Sequence, residues 1–242
     1  MTMRNAILSC LLLLSGISGL HAETSSAPTH IYVADGELIY VGEIDELANQ
    51  LLFTLYDSLT DKPTVLSIQS QGGNVIPGMA LGRWVRARKL DVKVMEYCLS
   101  SCANYVFPAG GRKVVSNFAV IGFHGGANSL YLRVAEATNK MLSAGPSEEI
   151  KKMASGMLKD MQATAQQELT YLKALGVRED LVSLGQEERY QPIYKNNPNT
   201  VGWTYSVDDF ARMGVRDIVV VNPPWSPKLL SAQQQFWILP LQ

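Results

Sequence analysis

The chain has 242 residues, 47% of them hydrophobic, and a formal net charge of −1. That supports one well-packed domain with small elaborations. The near-neutral charge, with no run of like charges and no low-complexity tract, gives no electrostatic basis for binding nucleic acid. At the N-terminus "MTMRN" carries Arg4, residues 6–20 ("AILSCLLLLSGISGL") are apolar, and "HA" precedes "ETSSAPT". A charged start, a short apolar stretch and a small closing residue read as a signal peptide over residues 1–22, cleaved after Ala22. The stretch is shorter than the ~20 residues that span a bilayer. A periplasmic or secreted protein is expected, with one domain over residues 23–242 and membrane association only if the signal is not cleaved.

"HIYVADGELIYVGEI" reads as two short strands turning at Asp35-Gly36. Asp45 is placed to cap a helix in which Leu47, Leu51, Leu52, Leu55 and Leu59 keep helical spacing. "PTVLSIQS" is a β-branched strand, "QGGN" breaks it, and "VIPGMALGRWVRARK" is helical. "DVKVMEY", "KVVS" and "AVIGFH" are further strands, so alternation of strand and helix predicts an α/β fold with right-handed crossovers. Two helices fill about residues 130–175, the second capped by Ser147 and ended by Gly176. Ile150, Met153, Met157, Met161, Leu169 and Leu172 form one stripe on it, suited to core or to an oligomer face. Residues 186–203 read as a polar loop, "SVDDFARMGVRDIVVV" as a short helix and a strand, and Trp225, Phe236 and Trp237 lie in a tail that must pack somewhere.

Loss of the signal would remove Cys10 and leave Cys98 and Cys102. In an oxidising compartment the pair is expected to form a disulfide. Their spacing of four requires Cys98 to precede any helix that contains Cys102, because the Cβ directions within one regular helix fit poorly. Two cysteines with only His30 and His124 to help do not make a tetrahedral metal site, so no metal and no cofactor is expected. Redox chemistry is the weaker reading: reactive pairs are usually C-x-x-C, and no lysine flanks this one.

Three features close strands of the same expected sheet. Gly72-Gly73 follow "SIQSQ", where bare backbone N–H groups can approach a ligand. Ser101 precedes an apolar helix, where its hydroxyl and the N–H of Cys102 face one space. His124 ends "AVIGF". Taken singly, each is more often an ordinary turn, an N-cap or a structural histidine. Together at strand ends they form a nucleophile, a base and oxyanion donors.

"SIQSQGGNVIPGMALGRWVR", "LSSCANYVFPAG" and "AVIGFHGG" resemble the Gly-Gly, nucleophile and histidine segments of the Clp protease proteolytic subunit. The likeness runs from about residue 31 to 222, with 130–175 similar to that family's protruding helices and "SVDDFARMGVRDIVV" to its closing helix and strand. It implies the Clp protease/crotonase spiral, catalysis by Ser101 and His124, an oxyanion hole from Gly73 and Cys102 with Gly72 shaping the turn, and homo-oligomer formation. Ser100 is expected to point elsewhere. The family's acid has no match, since the gapless position is Gly202; Asp208 and Asp209 lie in a helix, and Glu188, Asn196, Asn197 or Asn199 could come from the preceding loop. The expected function is an ATP-independent serine hydrolase, most simply a peptidase acting on peptide or protein. The alternatives are an inactive binding or scaffold protein of the same fold and an acyl-CoA enzyme of the crotonase type.

Overall fold

Asp35 and Gly36 both take left-handed backbone, at φ 51° and 75°, the geometry of a two-residue hairpin turn. They join β1 (His30–Ala34) to β2 (Glu37–Val41) in antiparallel register, with Tyr32 opposite Ile39. The structure is a computed structural model that describes residues 28–145, 147–231 and 234–241. The expected signal peptide and its cleavage point at Ala22 lie outside the described residues.

Asp45 caps α1 (Glu46–Ser58), its carboxylate accepting the Ala48 N–H at 2.7 Å. The buried face of α1 is Ala48, Asn49 and Leu52, whereas Leu47 and Leu51, expected inward, are 66% and 52% exposed. The aromatic rings explain the rotation. Phe53 stacks on Trp84 of α2 (Val75–Ala87) and Tyr56 meets it edge-on, with ring centres 4.8 and 5.2 Å away, and such large rings outweigh a leucine row in apolar area.

Between these helices runs β3 (Val65–Gln69), and after α2 come β4 (Asp91–Val94) and β5 (Tyr97–Leu99). A five-residue π-helix, Cys102–Val106, leads through a tight turn to β6 (Lys113–Ser116) and β7 (Val120–Gly122). Then follow α3 (Ala127–Leu142), α4 (Glu148–Leu175), α5 (Gln191–Asn196), β8 (Thr200–Thr204), α6 (Val207–Arg212), β9 (Ile218–Val221) and β10 (Gln235–Ile238). The fold is mixed α/β around a six-stranded sheet of order β1-β2-β3-β4-β6-β9, parallel throughout except for the first hairpin. Outside it, β5 pairs in parallel with β7, and β8 with β10. Single bridges from Ser70 to Cys98 and from Phe123 to Trp203 tie these pairs together and to the end of β3.

Two departures from the sequence reading shape the site. Residues 186–203 are not a plain loop. Pro192 opens α5, and β8 buries four of its five residues, so it lacks the polar alternation that betrays a strand. The tail returns as β10 beside β8, with Phe236 opposite Gly202. Trp225 is fixed by its indole N–H donating to the Ala119 carbonyl at 2.8 Å, and Trp237 lies against Tyr190.

The stripe on α4 divides. Leu172 is fully buried, while Ile150, Met153 and Met157 are 43%, 67% and 46% exposed. At 28 residues the helix is about 42 Å long and outruns the core it covers. No described helix is long and apolar enough to cross a membrane.

Candidate active site

Ser70-Gln71-Gly72-Gly73 follow β3, Ser100-Ser101 follow β5, and Phe123-His124 follow β7. Backbone bonds hold these three strand ends together: Leu99 N–H donates to Ser70 O at 2.9 Å, and Ser100 N–H to Gly122 O at 2.8 Å. Ser70, fully buried, braces the first turn by accepting the Gly72 N–H at 3.0 Å. Neither glycine can carry a side chain. Their φ values are 101° and 149°; a Cβ on Gly72 would lie 2.7 Å from the Ser100 Cβ, and one on Gly73 would lie 2.2 Å from the Ile44 carbonyl oxygen.

Gly73 sits in a parallel bridge with Ile44. Ile44 donates to Gly72 O at 2.7 Å and accepts from Asn74 N–H at 3.0 Å, the pattern that turns the bridged residue's own N–H and C=O to the opposite side. There the Gly73 carbonyl accepts the Ser101 hydroxyl at 2.8 Å. The Gly73 N–H makes no hydrogen bond among the described residues, nor does that of Cys102 in the first turn of the π-helix, where helices leave donors unmatched. Of these two residues, Gly73 lines the cavity that Ser101 borders, and Cys102 follows the serine directly in sequence; an N–H without a partner beside a hydroxyl is able to hold a developing oxyanion.

Ser101 and His124 border one cavity of about 210 Å³, together with Gly73, Asn104, Tyr105, Gly125 and Arg133. Ser101 is buried at 3% exposure and His124 is exposed. Besides the Ser100–Gly122 bond, Asn104 Nδ2 donates to Gly125 O at 2.9 Å, so the serine and histidine segments are pinned on both sides of the pair. Ser101 is bonded to Gly73 O and not to His124, whose imidazole makes no hydrogen bond or ion pair among the described residues. Ser100, expected to point elsewhere, also borders the cavity, on strained left-handed backbone at φ 53°.

Cys98 in β5 and Cys102 in the π-helix are joined by a disulfide, with Cα atoms 5.2 Å apart. Both are fully buried. The bond spans the Ser100-Ser101 turn, and Cys98 does precede the helix, as its geometry requires.

No carboxylate borders any of the three cavities that His124 lines among the described residues. Asp209 is committed elsewhere, accepting the Ser206 hydroxyl at 2.9 Å and pairing with Arg212 at 3.0 Å. At Gly202 a Cβ would lie 2.1 Å from the Phe123 carbonyl oxygen and 2.7 Å from the Phe236 ring. The tail thus packs directly on Gly202 and leaves no room there for a side chain. Gln186 orients the loop by donating to the His124 carbonyl at 2.8 Å.

Three supporting residues escaped the sequence reading: Ser70, Asn104 and Glu168. Glu168, fully buried, accepts the Tyr105 hydroxyl at 2.5 Å and the N–H groups of Ala127 and Asn128 at 2.9 and 2.8 Å. It thereby anchors the start of α3 beside the cavity. Burial first, and then the Glu168 charge, push the Tyr105 phenol above its usual range, so it stays a neutral donor. A glutamate in a helical stripe gives no signal in sequence that it will cap another helix. No family model matches the chain, and no curated protein matches it.

Proposed function

We propose that the protein is an exported, ATP-independent serine hydrolase, most simply a peptidase, with the Clp protease/crotonase spiral. Ser101 Oγ attacks the substrate carbonyl carbon, His124 takes the hydroxyl proton, and the N–H groups of Gly73 and Cys102 hold the resulting oxyanion. Collapse expels the leaving group, which His124 protonates, and water then releases the acyl group by the same route. The observation that carries this reading is the shared cavity of Ser101, His124 and Gly73, whose N–H makes no hydrogen bond among the described residues. The buried disulfide is consistent with an oxidising compartment. A fluorophosphonate probe should label the purified protein, and Ser101→Ala should abolish labelling. Peptide mapping must place the adduct on Ser101; an adduct on Ser100 would reassign the nucleophile.

A binding or scaffold protein of the same fold is the second reading. It is favoured by the Phe236 ring at Gly202, by the lack of a carboxylate lining beside His124 and by the Ser101 hydroxyl resting on Gly73 O. Absence of labelling at any probe concentration would select it.

A further inference from the structure

Arg133 lies on α3 with its side chain exposed, and it makes no ion pair, hydrogen bond or ring contact among the described residues. It borders two cavities that meet at His124. One is the Ser101 cavity; the other, of about 340 Å³, is walled by Gln186, Gln191, Tyr194, Val201 and Trp203. Neither has an aspartate or glutamate in its lining among the described residues, so Arg133 brings a fixed positive charge to both cavities; Glu136, three residues on along α3, forms no ion pair with it.

The second cavity is also lined by Tyr194, whose hydroxyl has no hydrogen-bond partner among the described residues. Burial raises its pKa, keeping it a neutral donor. The nearest deep carboxylate, Glu168, does not answer this charge. It is fully buried and already takes three donors, two of them at the N-terminus of α3, where the helix end itself favours a negative group. The third cavity that His124 borders, about 260 Å³, includes Tyr97, Leu99, Leu230 and Phe236 in its lining and contains no Lys or Arg. Of the cavities described at His124, the two that Arg133 lines are therefore the ones that carry a positive charge. A carboxylate suits them, because a guanidinium offers it paired donors in a matching plane.

We propose that Arg133 is a specificity-determining residue that selects substrates carrying a carboxylate close to the bond at Ser101. The proposal rests on the hydrolase reading. The carboxylate can be a glutamate or aspartate side chain or the C-terminus of a peptide.

The test is an internally quenched peptide library varied at each position about the cleaved bond. Its arms carry glutamate, glutamine or lysine side chains, and a C-terminal carboxylate or carboxamide. Wild type, Arg133→Gln and Arg133→Glu are compared, with binding of the same peptides to Ser101→Ala measured by calorimetry. A charge-assisted pair predicts about a tenfold preference for the acidic member at one position. That preference falls towards unity in Arg133→Gln and reverses in favour of lysine in Arg133→Glu. The side-chain and terminal arms show which source is read. Cleavage without an acidic preference, or a preference that survives Arg133→Gln, overturns the proposal. No cleavage, with an Arg133-dependent preference in binding, overturns the hydrolase reading and the substrate role with it, and keeps only the recognition of a carboxylate by Arg133. No cleavage and no preference overturns both.

Discussion

The Ser101 hydroxyl rests on the Gly73 carbonyl at 2.8 Å, and a hydrogen bond of that kind contributes about 1 kcal/mol net. In the proposed mechanism the hydroxyl would exchange that partner for His124, at a cost of that order. Ser101→Ala and His124→Ala should each remove nearly all acyl-enzyme formation. The double variant should lose no more than either single one, since the pair acts as a unit. Ser100→Ala should retain most activity; its cost or gain in stability is read separately from thermal unfolding. Restoring an acid at the gapless position should fail: Gly202→Asp places a Cβ 2.1 Å from the Phe123 carbonyl, and such overpacking costs about 1–3 kcal/mol or more. A lowered melting temperature with no gain in rate is the expected outcome, measured by calorimetry and by turnover of an ester substrate.

At the scale of elements, the disulfide and the contact between α2 and the π-helix fix the serine turn. Cys98 and Cys102 are four apart in sequence, so closing that loop restricts the unfolded chain by about 2 kcal/mol in chain-entropy terms. The double variant Cys98→Ala/Cys102→Ala should lose roughly that much unfolding free energy in urea, and any hydrolysis should fall further because the Cys102 N–H is no longer held. Intact mass before reduction should be two hydrogen atoms short of the dithiol form. Gly82 of α2 lies under the Tyr171 hydroxyl, which donates to the Tyr105 carbonyl at 2.6 Å. Gly82→Ala would put a Cβ 2.3 Å from the Tyr105 carbonyl oxygen, and a shift of the π-helix with a loss of about 1–3 kcal/mol should follow.

The same elements show what sequence can and cannot reveal. Strong local signals held: the Asp35-Gly36 turn, the Asp45 cap, the Ser147 cap and the Gly176 stop are all present. Each depends on residues a few positions apart. Contacts between distant segments left no such mark. β8 is visible only through its pairing with a strand 35 residues later, and Phe236 matters because Gly122 and Gly202 leave room for its ring. The inward face of α1 was set by Trp84 on another helix, not by its own leucines. In the site, Gly72-Gly73, Ser101 and His124 stood out as strand-end residues. Asn104 and Glu168 did not, because their partners lie on other elements; Ser70 did not, although its side chain bonds Gly72 two residues on, because a serine closing a strand carries no mark of that turn.

For the whole molecule, α3 and α4 expose apolar residues, and a homo-oligomer built on them, which the resemblance implies, is part of what we propose. Leu132, Met153 and Met157 are 57%, 67% and 46% exposed. Sedimentation should show a species larger than the monomer at micromolar concentration, and Met153→Glu with Met157→Glu should dissociate it; a wild-type monomer would remove the oligomer from the proposal. N-terminal sequencing of exported protein should begin at or near Glu23. Fold, disulfide and oligomer could all persist in a protein that catalyses nothing, so chemistry at the serine decides the central issue. The direct measurement is mass-resolved fluorophosphonate labelling of wild type, Ser101→Ala, Ser100→Ala and His124→Ala. A single adduct on Ser101, lost in Ser101→Ala, greatly slowed in His124→Ala and retained in Ser100→Ala, is the expected result. No adduct on wild-type protein, or one indifferent to His124, would contradict it.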